Sequence, residues 1–163
     1  MADEFINISM TVNGEKVSAN VEARTHLVDF LRNSLELTGS HLGCEHGICG
    51  ACSVRLDGVV VRGCLVLAVQ CHGSEIETIE GLSDSGEIKD LQEQFVERNA
   101  MQCGFCTPGM LMTAAELLRK NEARSREEIR DFMSGNYCRC TGYHAIIDAI
   151  ETTISNRQSG GCS

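Results

Sequence analysis

Eight of the ten cysteines in this chain fall into two groups of four, and that arrangement restricts the fold more than any other sequence feature. In the second half, a Cys103-x2-Cys106 pair is separated by 31 residues of helical pattern from a Cys138-x-Cys140 pair. These four thiols can come together only if the chain folds back on itself. Such a fold needs a bound group that holds them there.

The first half contains the other group, with the spacing Cys-x4-Cys-x2-Cys-x11-Cys: Cys44, Cys49, Cys52 and Cys64. A Cys-x4-Cys-x2-Cys triple followed by a distant fourth cysteine is typical of plant-type [2Fe-2S] proteins. Thiolate sulfur is a soft ligand that suits iron-sulfur clusters and zinc. Glycines surround these cysteines and allow positive φ angles, with which a loop can wrap closely around a cluster: Gly43, Gly47 and Gly50.

Length and charge limit the possible classes of protein. A chain of 163 residues can form one domain or two small ones. Each half would be near the size at which a hydrophobic core alone is marginal and a bound metal helps. The formal net charge of −9, without any basic patch, argues against a nucleic-acid partner.

The expected compartment is the cytoplasm. The N-terminal stretch MADEFINISM is acidic where a signal peptide would be basic, and no apolar run approaches the length of a membrane span. We therefore expect no membrane contact. Because the cytoplasm keeps thiols reduced, clustered cysteines there more often bind metal or carry out redox chemistry than form disulfides.

Alternating apolar residues in the first half predict a small sheet. Residues 5–12 place Ile6, Ile8, Met10 and Val12 on one face, and Asn13-Gly14 predicts a hairpin turn into a second strand at 15–21. Further elements follow along the chain: a helix from an N-cap at Thr25 to about residue 35, a hairpin over 53–62 that turns at Asp57-Gly58, and a closing strand over 75–79. Together they predict an α+β domain of the β-grasp, ferredoxin-like type over residues 1–80.

A polar, glycine-containing stretch, GLSDSG at 81–86, predicts a linker. The pattern beyond it is helical, and residues 87–163 predict a four-helix bundle. Its helices are expected over 87–100, from Thr107-Pro108 onward, from a capping box at Ser125–Glu128 onward, and over 143–155. The four cysteines of the second half then lie in two interhelical loops or at helix ends.

Structural zinc also accepts four thiolates and is the main alternative to iron-sulfur. The three-cysteine loop and the Cys138-Arg139-Cys140 pair favour iron-sulfur, because zinc sites usually combine two knuckles whose cysteines are about two to four residues apart. Disulfides are a further alternative, which a reducing compartment disfavours.

The remaining candidate ligands have simpler interpretations. His46 lies inside the first cysteine loop, but Rieske-type ligation needs two histidines in place of two cysteines, and both groups are already complete. We expect His46 to face solvent, Cys71 to be a small core residue, and Cys162 to be a free thiol in a disordered tail. Met110 and Met112 are expected to pack in the core.

Two [2Fe-2S] clusters, each a one-electron carrier, would make a relay in one small chain. The sequence contains no dinucleotide fingerprint, no P-loop and no nucleophile-base pair in its local motifs. We therefore expect a chain that transfers electrons and has no site of its own for substrate chemistry.

The chain resembles the small iron-sulfur subunit of the molybdenum hydroxylase family, which is related to xanthine oxidase, aldehyde oxidoreductases and aerobic carbon monoxide dehydrogenase. Four segments carry the resemblance: GCEHGICGAC at 43–52, Cys64, QCGFCTPGM at 102–110 and GNYCRCTGY at 135–143. The resemblance covers nearly the whole chain and leaves only the last few residues unmatched. Two complete groups in the right order and spacing make it more specific than any single motif.

This resemblance implies partners and roles. A large subunit would hold the molybdenum-pterin cofactor that hydroxylates substrate with oxygen from water, and a medium subunit would hold FAD, in a dimer of heterotrimers (a heterohexamer). Electrons would pass from molybdenum to the helical-domain cluster, to the ferredoxin-like cluster and then to FAD. The molybdenum-proximal ligands would be Cys103, Cys106, Cys138 and Cys140, and the flavin-proximal ligands Cys44, Cys49, Cys52 and Cys64. Gln102 and Cys140 would approach the pterin, although without the resemblance Gln102 is an ordinary capping or loop amide.

Two other functions stay open at this point. A stand-alone double-cluster ferredoxin would be expected to have a fully polar surface when isolated, and a zinc-stabilised interaction module would have no redox role. The five phenylalanines and two tyrosines do not distinguish these functions, because large interfaces can be aliphatic. The substrate of the complex, its final acceptor and the cluster potentials leave no trace in this sequence.

Overall fold

A mixed sheet of five strands forms the first half of the molecule in the computed structural model, which describes residues 5–120 and 125–160. The strands are β1 (Phe5–Val12), β2 (Glu15–Glu22), β3 (Ser53–Leu56), β4 (Val59–Arg62) and β5 (Glu75–Glu77), in the spatial order β2-β1-β5-β3-β4. All neighbouring strands are antiparallel except β1 and β5, which are parallel. Helix α1 (Leu27–Asn33) and a 3-10 helix (Ala68–Cys71) complete this α+β half.

Both predicted hairpin turns are present. Asn13 and Gly14 have φ angles of 50° and 83°, and Asp57 and Gly58 have φ angles of 47° and 82°. A type I′ turn requires positive φ at both central residues, a conformation that asparagine, aspartate and glycine tolerate. The turns therefore set the registers in which β1 pairs with β2 and β3 pairs with β4.

The core of this half lies between the sheet and α1. Alternation along β1 buries Ile8, Met10 and Val12, whereas Ile6, expected on the same face, is exposed near the start of the strand. Helix α1 contributes Leu27, Phe30 and Leu31 from the other side.

Two boundaries in this half differ from prediction. Helix α1 begins after His26, without a side-chain cap, and ends at Asn33, so Thr25 is not its N-cap. The N–H of Leu27 instead donates to the carbonyl of Val66 at 2.7 Å, which satisfies the helix end by a tertiary contact. Strand β5 ends at Glu77 because Ile79 already begins the next helix.

The segment 81–86, which its polar composition predicted to be a linker, is mostly helical. Helix α2 (Ile79–Asp84) runs through most of this segment and buries Ile79 and Leu82 in the helical core. Gly81 serves packing, because a side chain at that position would collide with Asn13. The polar composition of residues 81–86 gave no indication of the short buried face that Ile79 and Leu82 form.

Four longer helices form the rest of the second half: α3 (Lys89–Glu97), α4 (Thr107–Lys120), α5 (Arg126–Met133) and α6 (His144–Gly160). They correspond to the four predicted helices. The predicted capping box is present, since Ser125 Oγ accepts from the Glu128 N–H at 3.2 Å and the Glu128 carboxylate accepts from the Ser125 N–H at 2.8 Å. Met110 and Met112 are fully buried in the core, as expected.

The two halves pack along α4, which contacts β3 and β4. The buried carboxylate of Glu116 accepts a hydrogen bond from the Val60 N–H at 3.2 Å, so a helix side chain covers part of the edge strand. In β3, the buried guanidinium of Arg55 pairs with Glu87, which precedes α3, at 2.8 Å. These contacts place the cysteine loops of the two halves next to each other.

Candidate iron-sulfur sites

The eight predicted ligands lie in four side-chain pairs: Cys44 with Cys49, Cys52 with Cys64, Cys103 with Cys140, and Cys106 with Cys138. In one of these pairs the Sγ atoms of Cys103 and Cys140 are 3.6 Å apart. Cys49 lies close enough to Cys52, and Cys103 close enough to Cys106, for their charges to interact. The structure thus brings together both predicted groups. Among residues 5–120 and 125–160, no three His, Cys, Asp or Glu side chains are placed to bind a single metal ion.

The β3–β4 hairpin brings Cys64 beside Cys52. Ser53 pairs with Arg62 in the strand register, and the Gly63 N–H donates to the Cys52 carbonyl at 3.0 Å. Both thiols are almost fully buried. Burial raises the pKa of the Cys52 thiol to about 11.

Backbone N–H groups surround the other pair of this group. The N–H groups of Cys49 and His46 each donate to Cys44 Sγ at 3.4 Å. These hydrogen bonds, that from Cys49 foremost, lower the pKa of the Cys44 thiol to about 6. Positive φ angles at Glu45, Gly47 and Gly50 give the loop the curvature that we predicted from its glycines. At neutral pH Cys44 is therefore available as a thiolate, the form that binds metal.

The second group spans the surface and the interior. Cys103 and Cys140 are exposed, whereas Cys106 and Cys138 are half-buried against the helical core. Burial, together with the neighbouring Cys138, raises the pKa of the Cys106 thiol to about 12. Burial acts in the same direction on Cys138, but hydrogen bonds led by those from Thr141 outweigh it and lower the pKa of that thiol.

Two residues that sequence reasoning missed shape the Cys138 loop. The Tyr143 hydroxyl accepts from the Cys138 N–H at 2.9 Å and donates to the Asn136 carbonyl at 3.2 Å. Thr141 donates to Cys138 Sγ from its hydroxyl at 3.1 Å and from its N–H at 3.4 Å. Both residues lie in the GNYCRCTGY segment. Their hydroxyl groups, so close in sequence to two cysteines, were the signal from which hydrogen bonds in this loop could have been predicted.

Asn136, also missed, links the two cysteine loops and is only 1% exposed. Its Nδ2 donates to the Gly50 carbonyl at 3.3 Å, and its Oδ1 accepts from Thr113 Oγ1 at 3.0 Å and from Arg62 Nη2 at 3.2 Å. Gly50 has a φ of 74°, and a Cβ there would lie 2.6 Å from the Asn136 side-chain amide. Glycine is therefore required at this contact by both conformation and space.

The backbones of the two loops also meet directly. The Tyr137 N–H donates to the Cys49 carbonyl at 2.8 Å. Gly109, in the first turn of α4, lies so close to Gly50 that a Cβ would collide with the Gly50 carbonyl oxygen. The loop of the first group is thus held by both the α5–α6 loop and the start of α4.

Two domain families match this chain in succession. Residues 10–77 match the 2Fe-2S iron-sulfur cluster binding domain, and residues 78–151 match the [2Fe-2S] binding domain. Caffeine dehydrogenase subunit gamma of Pseudomonas sp. strain CBB1 is 51% identical over 148 residues, which cover 89% of each chain. The nicotine 6-hydroxylase small subunit of Paenarthrobacter nicotinovorans is 51% identical over 145 residues, which cover 89% of this chain and 87% of that one. This chain belongs to the small iron-sulfur subunits of the molybdenum hydroxylase family.

Solved structures agree with the fold of this small iron-sulfur subunit. A chain of quinoline 2-oxidoreductase from Pseudomonas putida 86 superimposes with a TM-score of 0.88 at 49% identity, over 96% of this chain and 98% of that chain. Aldehyde oxidoreductase from Desulfovibrio gigas superimposes with a TM-score of 0.84 at 42% identity, over 95% of this chain but 17% of that chain. There the same fold is one part of a longer chain. The predicted ferredoxin-like domain plus helical [2Fe-2S]-binding domain is confirmed, so the chain contains two [2Fe-2S]-binding domains.

The other residues singled out in the sequence of this iron-sulfur subunit have defined places. Gln102 is exposed, and its Nε2 donates to the Cys140 carbonyl at 3.1 Å, so the two predicted pterin neighbours are in contact. His46 is exposed and Cys71 is fully buried in the sheet core, both as expected. Cys162 lies outside the described residues. None of the helices within 5–120 and 125–160 combines the length and the apolar character that crossing a membrane requires.

Proposed function

We propose that this subunit relays electrons one at a time from a molybdenum-pterin centre on a large partner subunit, through its two [2Fe-2S] clusters, to FAD on a medium partner subunit. The arrangement of the eight cysteines in four pairs carries this proposal. A [2Fe-2S] cluster takes two thiolates on each iron and, when bound, supplies one-electron chemistry. We assign Cys44, Cys49, Cys52 and Cys64 to one cluster, and Cys103, Cys106, Cys138 and Cys140 to the other.

The donor atoms and their surroundings fit this group. Soft thiolates suit iron-sulfur, and hydrogen bonds to Cys44 and Cys138 offset the negative charge that collects on the sulfur atoms. A structural zinc needs four thiolates around one ion. The thiols here lie in four pairs, two in each group, which is compatible with two irons in each cluster that each take two thiolates.

Contact between the two cysteine loops supports transfer within the chain. The Tyr137 N–H reaches the Cys49 carbonyl, and the next residue is the predicted ligand Cys138. Asn136 adds a buried side-chain bond to Gly50. The two cysteine loops are thus neighbours, which supports electron transfer between the two sites within this chain.

Exposed apolar side chains border both sites, which favours a subunit of a complex over a stand-alone ferredoxin. Ile48 and Leu65, next to first-group cysteines, are 51% and 61% exposed. Phe105, next to Cys106, is 46% exposed, and Met101, two residues before Cys103, is 38% exposed. A stand-alone ferredoxin is expected to have a polar surface around its clusters. Apolar residues at such places are typical of surfaces that partners cover.

The family resemblance supports the remaining parts of the proposal. The complex would be a dimer of heterotrimers in the cytoplasm, with no membrane or nucleic-acid partner. Gln102 and Cys140 would face the pterin, and their exposure and mutual contact are compatible with that role. We also propose a ferredoxin-like domain over 1–80 and a helical domain over 87–163, joined by residues 81–86. The junction of the two family matches at residues 77 and 78 supports a boundary in this region.

Metal analysis tests the proposal. We would measure iron, acid-labile sulfide and zinc in anaerobically purified subunit and record low-temperature EPR spectra after dithionite reduction. We expect about four irons and about four sulfides per chain, with two distinguishable [2Fe-2S] signals. Zinc without sulfide or signal would overturn the proposal and leave a metal-stabilised binding module. Cluster content is the same for a stand-alone ferredoxin, so that function is tested by purification from the native source: a chain with which neither a molybdenum nor a flavin subunit co-purifies would support it.

A further inference from the structure

Thr141 is placed to act on one sulfur atom of the second cysteine group. Its Oγ1 lies 3.1 Å from Cys138 Sγ, and its N–H lies 3.4 Å from the same atom. The hydroxyl oxygen also accepts from the Tyr143 N–H at 3.2 Å. That bond orients the oxygen lone pairs toward Tyr143 and leaves the hydroxyl hydrogen to point at the sulfur.

The two cysteine groups differ in the kind of group that donates hydrogen bonds to their sulfur atoms. Cys44, in the first group, receives its hydrogen bonds from the backbone N–H groups of His46 and Cys49. Within residues 5–120 and 125–160, Thr141 provides the hydroxyl-to-sulfur hydrogen bond among the predicted ligands. A backbone N–H is available to any residue type, whereas this donor depends on the identity of one side chain.

Hydrogen bonds to cluster sulfur atoms raise the reduction potential. Reduction adds one negative charge that is shared with the ligand sulfurs, so a donor stabilises the reduced form more than the oxidised form. Thr141 is half-buried, which reduces competition from water for this hydrogen bond.

We infer that Thr141 is a positioning residue whose hydroxyl, donated to Cys138 Sγ, raises the reduction potential of the helical-domain cluster relative to that of the ferredoxin-like cluster. The inference rests on the proposed function, because it assigns Cys138 to that cluster. One electron enters the cluster from the reductant, and no bond to Thr141 forms or breaks. In the assembled complex, the helical-domain cluster would accept an electron more readily with this donor than without it.

An EPR-monitored redox titration of the complete subunit tests this inference. We would compare wild type with Thr141→Val, which lacks the hydroxyl, and Thr141→Ser, which keeps it. Thr141→Val should lower the ratio of reduced to oxidised helical-domain cluster about tenfold at a given ambient potential, which is about 59 mV for a one-electron couple. Thr141→Ser should stay close to wild type. The ferredoxin-like cluster in the same sample serves as an internal reference and should not shift.

Further variants distinguish the effect of the Thr141 hydroxyl on the potential from an effect of side-chain packing. Thr152→Val removes a hydroxyl from α6 that bonds to the Asp148 carbonyl, and it should leave both potentials unchanged. Thr141→Ala should reproduce the shift of Thr141→Val and replaces it if valine prevents cluster assembly. The inference would be overturned if the potential is unchanged in the hydroxyl-free variants, or if Thr141→Ser shifts it as much as they do. Loss of the helical-domain signal from both hydroxyl-free variants would overturn it as well. Absence of both signals from wild type would instead overturn the proposed function.

Discussion

The Tyr137 N–H donates a 2.8 Å hydrogen bond to the carbonyl of Cys49. Tyr137 directly precedes Cys138, a predicted ligand of the second group, and Cys49 is a predicted ligand of the first. Beside this bond, the Asn136 side chain reaches Gly50, Thr113 and Arg62. The first cysteine loop is therefore held by the second at two successive residues. Four predictions follow from this and related contacts.

Asn136→Ala should destabilise the contact between the loops. The change takes away the hydrogen-bond partner of the buried Thr113 hydroxyl and one of the hydrogen bonds to the Gly50 carbonyl, which keeps those from Ser53; the loss costs about 2 kcal/mol. For a chain of this length that is a fall of about 4–8 °C in melting temperature, measured by circular dichroism at a fixed scan rate. Asn20→Ala, at an exposed site in β2, should change stability by less than about 0.5 kcal/mol. Equal melting temperatures for the two variants would show that Asn136 does not join the loops.

Gly109→Ala should destabilise the protein although alanine is the better helix former. A Gly-to-Ala change inside a helix ordinarily stabilises by about 0.5–1 kcal/mol. Here the new methyl group would collide with the Gly50 backbone, and overpacking of this kind costs about 1–3 kcal/mol. Ser155→Ala, at an exposed position of α6, is the control for helix propensity and should be neutral or slightly stabilising. A higher melting temperature for Gly109→Ala would contradict the close packing of α4 on the first cysteine loop.

Cys106→Ser should remove one cluster and spare the other. Cys106 pairs with Cys138, so its loss should lower the iron content by about two per chain and abolish the helical-domain EPR signal. Cys71→Ser, in the core of the sheet and away from both groups, should keep the full iron content. The same results are expected for Cys138→Ser. Full activity of an assembled complex that contains Cys106→Ser would contradict the relay.

Glu87→Gln should weaken the link between β3 and the helical half in a pH-dependent way. The hydrogen bond from Arg55 lowers the pKa of Glu87, so the carboxylate contributes stability above its unfolded pKa of about 4.3 and loses it as pH falls through the lower folded value. The contribution is about 1 kcal/mol, because the Glu87 side chain is 36% exposed and solvent screens it.

Melting temperatures of wild type and Glu87→Gln, measured from pH 8 downward, provide the test. Their difference should be constant between pH 8 and pH 5 and should shrink only below about pH 4.3. Glu93→Gln, at an exposed site of α3, should match wild type throughout. A difference that already vanishes near pH 6 would contradict a depressed pKa at Glu87.

The sequence by itself determined the spacing of the two cysteine groups, the hairpin turns and the four longer helices. These features are local: the spacing of Cys44, Cys49 and Cys52 fits within one loop, Asn13-Gly14 specifies its turn, and Ser125 with Glu128 caps one helix end. Covalent spacing and residue conformation are enough to specify such features. The family resemblance extended the prediction to partners because it rests on the order of all eight cysteines.

Only the tertiary structure decided which thiols pair and how the two groups meet. The pairing of Cys103 with Cys140 brings together the segments that precede α4 and α6, and the bond from Asn136 to Gly50 joins residues 86 positions apart. Local composition also concealed α2, whose buried Ile79 and Leu82 have their partners in the helical core. Contacts of this kind depend on the packing of distant elements, because a residue's nearest neighbours in the chain do not specify what will cover it.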